Sequence, residues 1–204
     1  MGVRLRTSTH GNLKQNVLGA LALVAIFISG MGAAHAQSAQ DRIATASHNG
    51  QIAYAFSPGG AENLVIEVIR SARAEIRMMA YSLTSALVVS ALIEARKRGV
   101  DVALVVDHKS NTVQDQSGKG RAALSALVNA GCRVRSISGA ALQHDKVLVV
   151  DRETVQTGSF NYSRAATKNS ENVLVVWKND QLAQGYLEHW QKRFARGEDF
   201  RMQY

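Results

Sequence analysis

The stretch HDKVLVVDRETVQTGSFN, His144 through Asn161, decides how this chain reads. Its centre is an unbroken apolar run, the pattern of a strand covered on both faces. TVQTGS follows a short polar turn and returns beside it. Side chains at i and i+2 of a strand share a face, so His144 and Lys146 look into one space. Asp151 has the opposite parity and stands where the strand turns, so geometry alone would keep it out of that space. Gly158-Ser159-x-Asn161 comes back from the neighbouring strand with a hydroxyl, an amide and turn N–H groups, all suited to a phosphate oxygen. Glu171 opens the next apolar run and could approach His144 from the flank; a carboxylate on one imidazole nitrogen leaves the other free to attack.

Upstream, two patterns alternate. IAYAFS (52–57), IRMMAYSL (76–83), VDVALVVD (100–107) and CRVRSI (132–137) read as strands. Between them, helical spacing appears over 62–74, from a Thr84 or Ser85 cap to Arg98, and over 121–130. ENVLVVW (171–177) is one more strand, and 180–196 is a last helix with Leu182, Tyr186, Leu187, Trp190 and Phe194 on one stripe. Continuous apolar strands separated by helices predict an α/β domain whose mixed, largely parallel sheet carries helices on both faces.

The first residues have the pattern of an export leader. Arg4, Arg6 and Lys14 precede an apolar core from Val17 to Ile28, and Ala34-His35-Ala36 forms a small-x-small cleavage site. The expected organisation is a signal peptide over 1–36, a flexible lead-in over 37–50 and one domain over 51–204, with a periplasmic or secreted location; the rival reading keeps the leader as an anchor. The leader holds three of the 24 basic residues and no acidic one, so its removal lowers the net charge from +8 to +5. That surplus suits a polyanion such as nucleic acid, or an anionic lipid surface. Cys132 is the single cysteine, so no internal disulfide forms, and its alternating context reads as a small buried hydrophobe.

Several other patterns carry less. SGKG (117–120) lacks the flanking residues of a phosphate loop and reads as a flexible basic loop. His48, His108, His144 and His189 show neither helical pairing nor partner cysteines, so no metal site is expected. Asp107-His108 closes a strand where open sheets place ligands, but reads better as a solvated loop opening. His189 falls off the apolar stripe of its helix and reads as a surface residue.

The spacing His144-x-Lys146-x4-Asp151-x6-Gly158-Ser159-x-Asn161, with Glu171 twenty residues after Asp151, resembles the HKD signature of the phospholipase D superfamily. The likeness runs from about Ile52 to the C-terminus and is greatest to small, exported, single-motif endonucleases of bacterial conjugative plasmids. The resemblance implies a phosphodiesterase that needs no metal and no cofactor. One histidine attacks phosphorus to give a phosphohistidine, and a second protonates the leaving oxygen. The catalytic set would be His144, Lys146, Asp151 and Glu171, with Lys146, Ser159 and Asn161 binding phosphate; in the family pattern the motif aspartate is often structural. Small members resemble half of a two-motif enzyme, so a homodimer would supply the second imidazole across a two-fold axis. The substrate expected is DNA, with RNA open, and Lys109, Lys119, Arg121, Arg164 and Lys168 are candidates to follow its backbone. The rivals are a lipid phosphodiesterase and a non-catalytic nucleic-acid-binding protein.

Overall fold

The computed structural model describes residues 51–139 and 141–202. The expected leader and lead-in lie outside the described residues. The elements in chain order are β1 (Ile52–Ser57), α1 (Ala61–Ser71), β2 (Glu75–Ala80), α2 (Ala86–Lys97), β3 (Asp101–Asp107), a π-helical turn (Lys109–Val113), α3 (Lys119–Asn129), β4 (Arg133–Ile137), β5 (Lys146–Val150), β6 (Thr154–Gly158), β7 (Glu171–Val176), α4 (Asp180–Arg196) and β8 (Glu198–Asp199).

All eight strands join one sheet in the order β1-β7-β6-β5-β2-β3-β4-β8. The mixed sheet is as expected, but its parallel share is smaller: only β2–β3 and β3–β4 run parallel, and the other five pairings are antiparallel. The apolar runs reflect cover on both faces, which an antiparallel central strand such as β5 shares with a parallel one. Strand parity sorts the core accordingly. Met78, Leu104, Leu148 and Val173 pack with α1, α2 and α3 on one face. Met79, Val105, Val147 and Val149 pack with Ala183, Leu187 and Trp190 of α4 on the other. Cys132 is buried as expected, and burial pushes its thiol up to about 11, out of reach of thiolate chemistry at neutral pH.

Helix α4 does not reach the sheet edge. There Ile52, Tyr54 and Phe56 of β1 and Leu174 of β7 stand exposed, Tyr54 at 71%. Tyr54 pairs with Leu174 in the ladder, so the four residues make one apolar strip. No helix among the described residues is long and apolar enough to cross a membrane.

Asp151 holds the β5–β6 hairpin. It takes a positive φ of 51°, a conformation that Asp tolerates better than most residues, and Arg152 follows with 60°. Its carboxylate accepts the backbone N–H groups of Arg73 (2.8 Å), Ala74 (2.8 Å) and Glu75 (2.9 Å). It therefore pins the α1–β2 connection to the end of β5. Because hydrogen bonds to a charged acceptor contribute about 1.5–3 kcal/mol each before solvent exposure is discounted, Asp151→Ala should lower unfolding stability by about 2–4 kcal/mol. Chemical denaturation checks this; an unchanged midpoint would refute the latch.

Candidate active site

Antiparallel pairing brings the start of β5, the end of β6 and the start of β7 to the same edge of the sheet as the ends of β2 and β3. His144, Lys146, Ser159, Asn161 and Glu171 all belong to that edge. His144 itself lies just before the strand, which begins at Lys146. Tyr81 N–H donates to the Asp145 carbonyl at 3.0 Å, one step beyond the Ala80–Lys146 pair, so the ladder still governs the loop.

Lys146 is only 7% exposed, while His144 is open to solvent. The Lys146 Nζ donates to the His144 carbonyl at 2.7 Å and lies 3.2 Å from His144 Nδ1 and 3.4 Å from Nε2. An ammonium only donates, so whichever ring nitrogen it serves presents a lone pair. The Tyr81 ring sits against the imidazole, centroids 4.5 Å apart, and under the ammonium at 5.1 Å. Burial pushes the Lys146 pKa down, and the carboxylates of Asp145 and Glu171 pull it partly back.

Past the end of β6, Phe160 and Tyr162 are fully buried, whereas Ser159 is exposed and Asn161 half-buried. Ser159 Oγ accepts from Asn172 N (3.0 Å) and Asn172 Nδ2 (3.3 Å), which leaves its own O–H free to donate. Asn161 Oδ1 is buried without a partner. Gly158 has a φ of 153°, and a Cβ there would overlap the Asn172 carbonyl oxygen; that close approach is why the motif position is glycine.

Three expectations need correction. Asp151 is at the far end of β5, separated from His144 by the whole strand, and its carboxylate is engaged by backbone; it does not join the catalytic set. Glu171 accepts a bond from Asn169 Nδ2 at 3.2 Å rather than from His144, and it reaches Lys146 only through its field. The turn N–H groups of Ser159 and Phe160 both donate to the Asn172 carbonyl, at 3.1 and 3.3 Å, so they are unavailable to a phosphate.

Other residues steady the loop. Asp107, expected at a solvated opening, is buried and accepts Ser110 N (2.7 Å) and Gln143 N (3.0 Å). Gln143, fully buried, donates to Asp145 Oδ2 at 2.5 Å and accepts from Arg193 Nε at 2.6 Å. His189 Nε2 lies 3.5 Å from the same Asp145 oxygen. Helix α4 thus grips the residues flanking His144 from one face. The off-stripe placement of His189 was the one sign of this in the sequence. Among the described residues no three His, Cys, Asp or Glu side chains cluster so as to hold a metal ion.

Comparison with known proteins agrees with the geometry. The family described as "Cardiolipin synthase, PLD-like domain" matches residues 65–194. The chain is 38% identical over 140 residues to a Phospholipase D of Rickettsia bellii, a match that takes in 68% of this chain and 66% of that one. The matched stretch is thus just under two thirds of that relative's length. It is 26% identical over 129 residues to a Mitochondrial cardiolipin hydrolase of Danio rerio, 63% of this chain and 54% of the other. Among solved structures, the phospholipase D family member Nuc from Salmonella typhimurium superimposes with a TM-score of 0.71 at 46% identity, covering 75% of this chain and 99% of its own. The chain belongs to the phospholipase D superfamily.

Proposed function

We propose that the protein is an exported endonuclease of low sequence preference that hydrolyses DNA, and RNA where it is offered, without a metal ion. The observation that carries this reading is the pairing of an exposed imidazole with a buried ammonium at one sheet edge, where Ser159 and Asn161 follow the end of the neighbouring strand. The surplus positive charge, +8 for the whole chain and +5 without the expected leader, supports a polyanionic substrate.

His144 attacks phosphorus with its free lone pair; an N–P bond forms and the P–O bond to the leaving group breaks. A second imidazole, His144 of the partner subunit, gives its proton to the departing oxygen. That imidazole then takes a proton from water, the hydroxide attacks phosphorus, and the N–P bond breaks. Lys146 leaves the His144 ring nitrogen for a phosphate oxygen as the substrate arrives, and Asn161 and the Ser159 O–H share the developing charge. Isologous pairing supplies the second histidine that a single chain lacks.

A second reading is a lipid phosphodiesterase. The apolar strip of Ile52, Tyr54, Phe56 and Leu174 favours it, because exposed aromatic and aliphatic side chains suit a membrane surface. The names of the relatives divide in the same way, between Phospholipase D and cardiolipin hydrolase on one side and Nuc on the other. A non-catalytic nucleic-acid-binding role is the third.

Nicking of supercoiled plasmid in EDTA separates them. Wild type should nick, and His144→Asn should lose about 10⁴-fold or more; intact plasmid alongside hydrolysed phosphatidylcholine would transfer the assignment to lipid, and binding without turnover would leave the third reading. Lys146 gives a further test. Its folded-state pKa lies below the unfolded value, so between the two the unfolded chain holds more protons and stability rises with pH. Lys146→Met should remove that alkaline rise, melt no lower than wild type at pH 7, and lose about 10²–10³-fold in kcat. A mutant that melts well below wild type would contradict the burial cost.

A further inference from the structure

A groove of about 1100 Å³ runs between α2, α3 and the 163–168 turn. Its wall includes residues next to those of the active edge of the sheet. Ser82 follows Tyr81, the residue against the His144 ring; Ser110 donates its N–H to Asp107, whose other carboxylate oxygen holds Gln143; Ser163 lies two residues past Asn161. The groove exceeds the pockets of about 300–1,000 Å³ that hold a small ligand.

Its charges are uneven. Glu62 is engaged by the Ser85 hydroxyl at 2.6 Å, and Asp115 by Ser117 and by the Gly120 N–H at the start of α3. Lys119, Arg164 and Lys168 line the same groove, all three exposed, and among the described residues their side chains make no ion pair or hydrogen bond. The other two candidate cations lie elsewhere: Arg121 lines a separate pocket at the β4 end, and Lys109 lines neither. A phospholipid presents one phosphodiester and cardiolipin two, fewer than three separate cations would serve, and the apolar strip on β1 and β7 is on the α4 face of the sheet, away from this groove. Unpaired cations along a groove whose wall adjoins the residues beside the reaction centre fit a chain of phosphates.

Resting on the nuclease reading, we propose that this groove is the track for the polynucleotide strand beyond the scissile bond, with Lys119, Arg164 and Lys168 contacting successive backbone phosphates. Serine and threonine hydroxyls along the walls, such as Ser82 and Thr84, serve the sugar–phosphate edges, and the exposed Leu87 offers an apolar surface to a sugar or base.

The test compares two substrates and two triple variants. Lys119→Gln/Arg164→Gln/Lys168→Gln should raise KM for duplex DNA about tenfold or more. It should also make the fall of log(kcat/KM) with log salt shallower by about 2–3, near 0.9 per lost contact. Its hydrolysis of bis(4-nitrophenyl) phosphate, which has one phosphodiester and no neighbouring phosphates, should stay at the wild-type rate and so report an intact fold. Arg70→Gln/Lys97→Gln/Lys192→Gln removes the same net charge away from the groove and should keep the wild-type salt slope. An unchanged slope and KM in the groove variant, with wild type active on DNA, would overturn the track alone. Equal loss in both variants would reduce it to a general charge effect and also overturn it. Wild type that spares DNA but cleaves phosphatidylglycerol vesicles would remove the nuclease reading itself, and the track with it.

Discussion

A lysine ammonium is held at the end of a strand buried on both faces, and the rest of the site is arranged around that fact. Burying a cation is unfavourable unless donors and field compensate. Here the His144 carbonyl, the Tyr81 ring and the carboxylates of Asp145 and Glu171 do so only in part, which is why the Lys146 pKa is pushed down. An incompletely compensated cation beside an imidazole lone pair is a ready receiver for a phosphate oxygen.

The geometry that holds it is distributed over the whole sheet. The Ala80–Lys146 pairing sets the depth of the ammonium, and the Gly158 close approach to the Asn172 carbonyl holds the end of β6 tightly against β7. Helix α4 reaches Gln143 through Arg193, and Asp107 takes the Gln143 N–H. At the other end, Asp151 fastens the hairpin to the α1–β2 connection. The most regular part of the motif spacing, from His144 to Asp151, therefore joins a chemical end to a structural end of one strand.

Much of this was legible in the chain itself. The i, i+2 spacing makes His144 and Lys146 legible as neighbours, whereas Asp151 stands apart because it lies past the far end of β5 with its carboxylate on backbone N–H groups, a separation that parity does not describe. The span of α4, Asp180–Arg196, was readable from its apolar stripe because helix periodicity repeats over many residues. Strand direction was not, since an apolar run records cover on its faces and carries no sign of its neighbour's polarity. Asp107 was visible at the end of β3 but not its burial, because its bond to the Gln143 N–H spans 36 positions; Gln143 itself was missed, since its bond to Arg193 spans 50 and leaves no local pattern.

The central claim is that one chain holds half of the reacting groups. Mixing wild type with increasing amounts of His144→Asn, under conditions that allow subunit exchange, measures this directly. If two imidazoles from two chains are required, activity at constant total protein should fall as the square of the wild-type fraction. A linear fall would mean that each chain works alone, and would contradict the account.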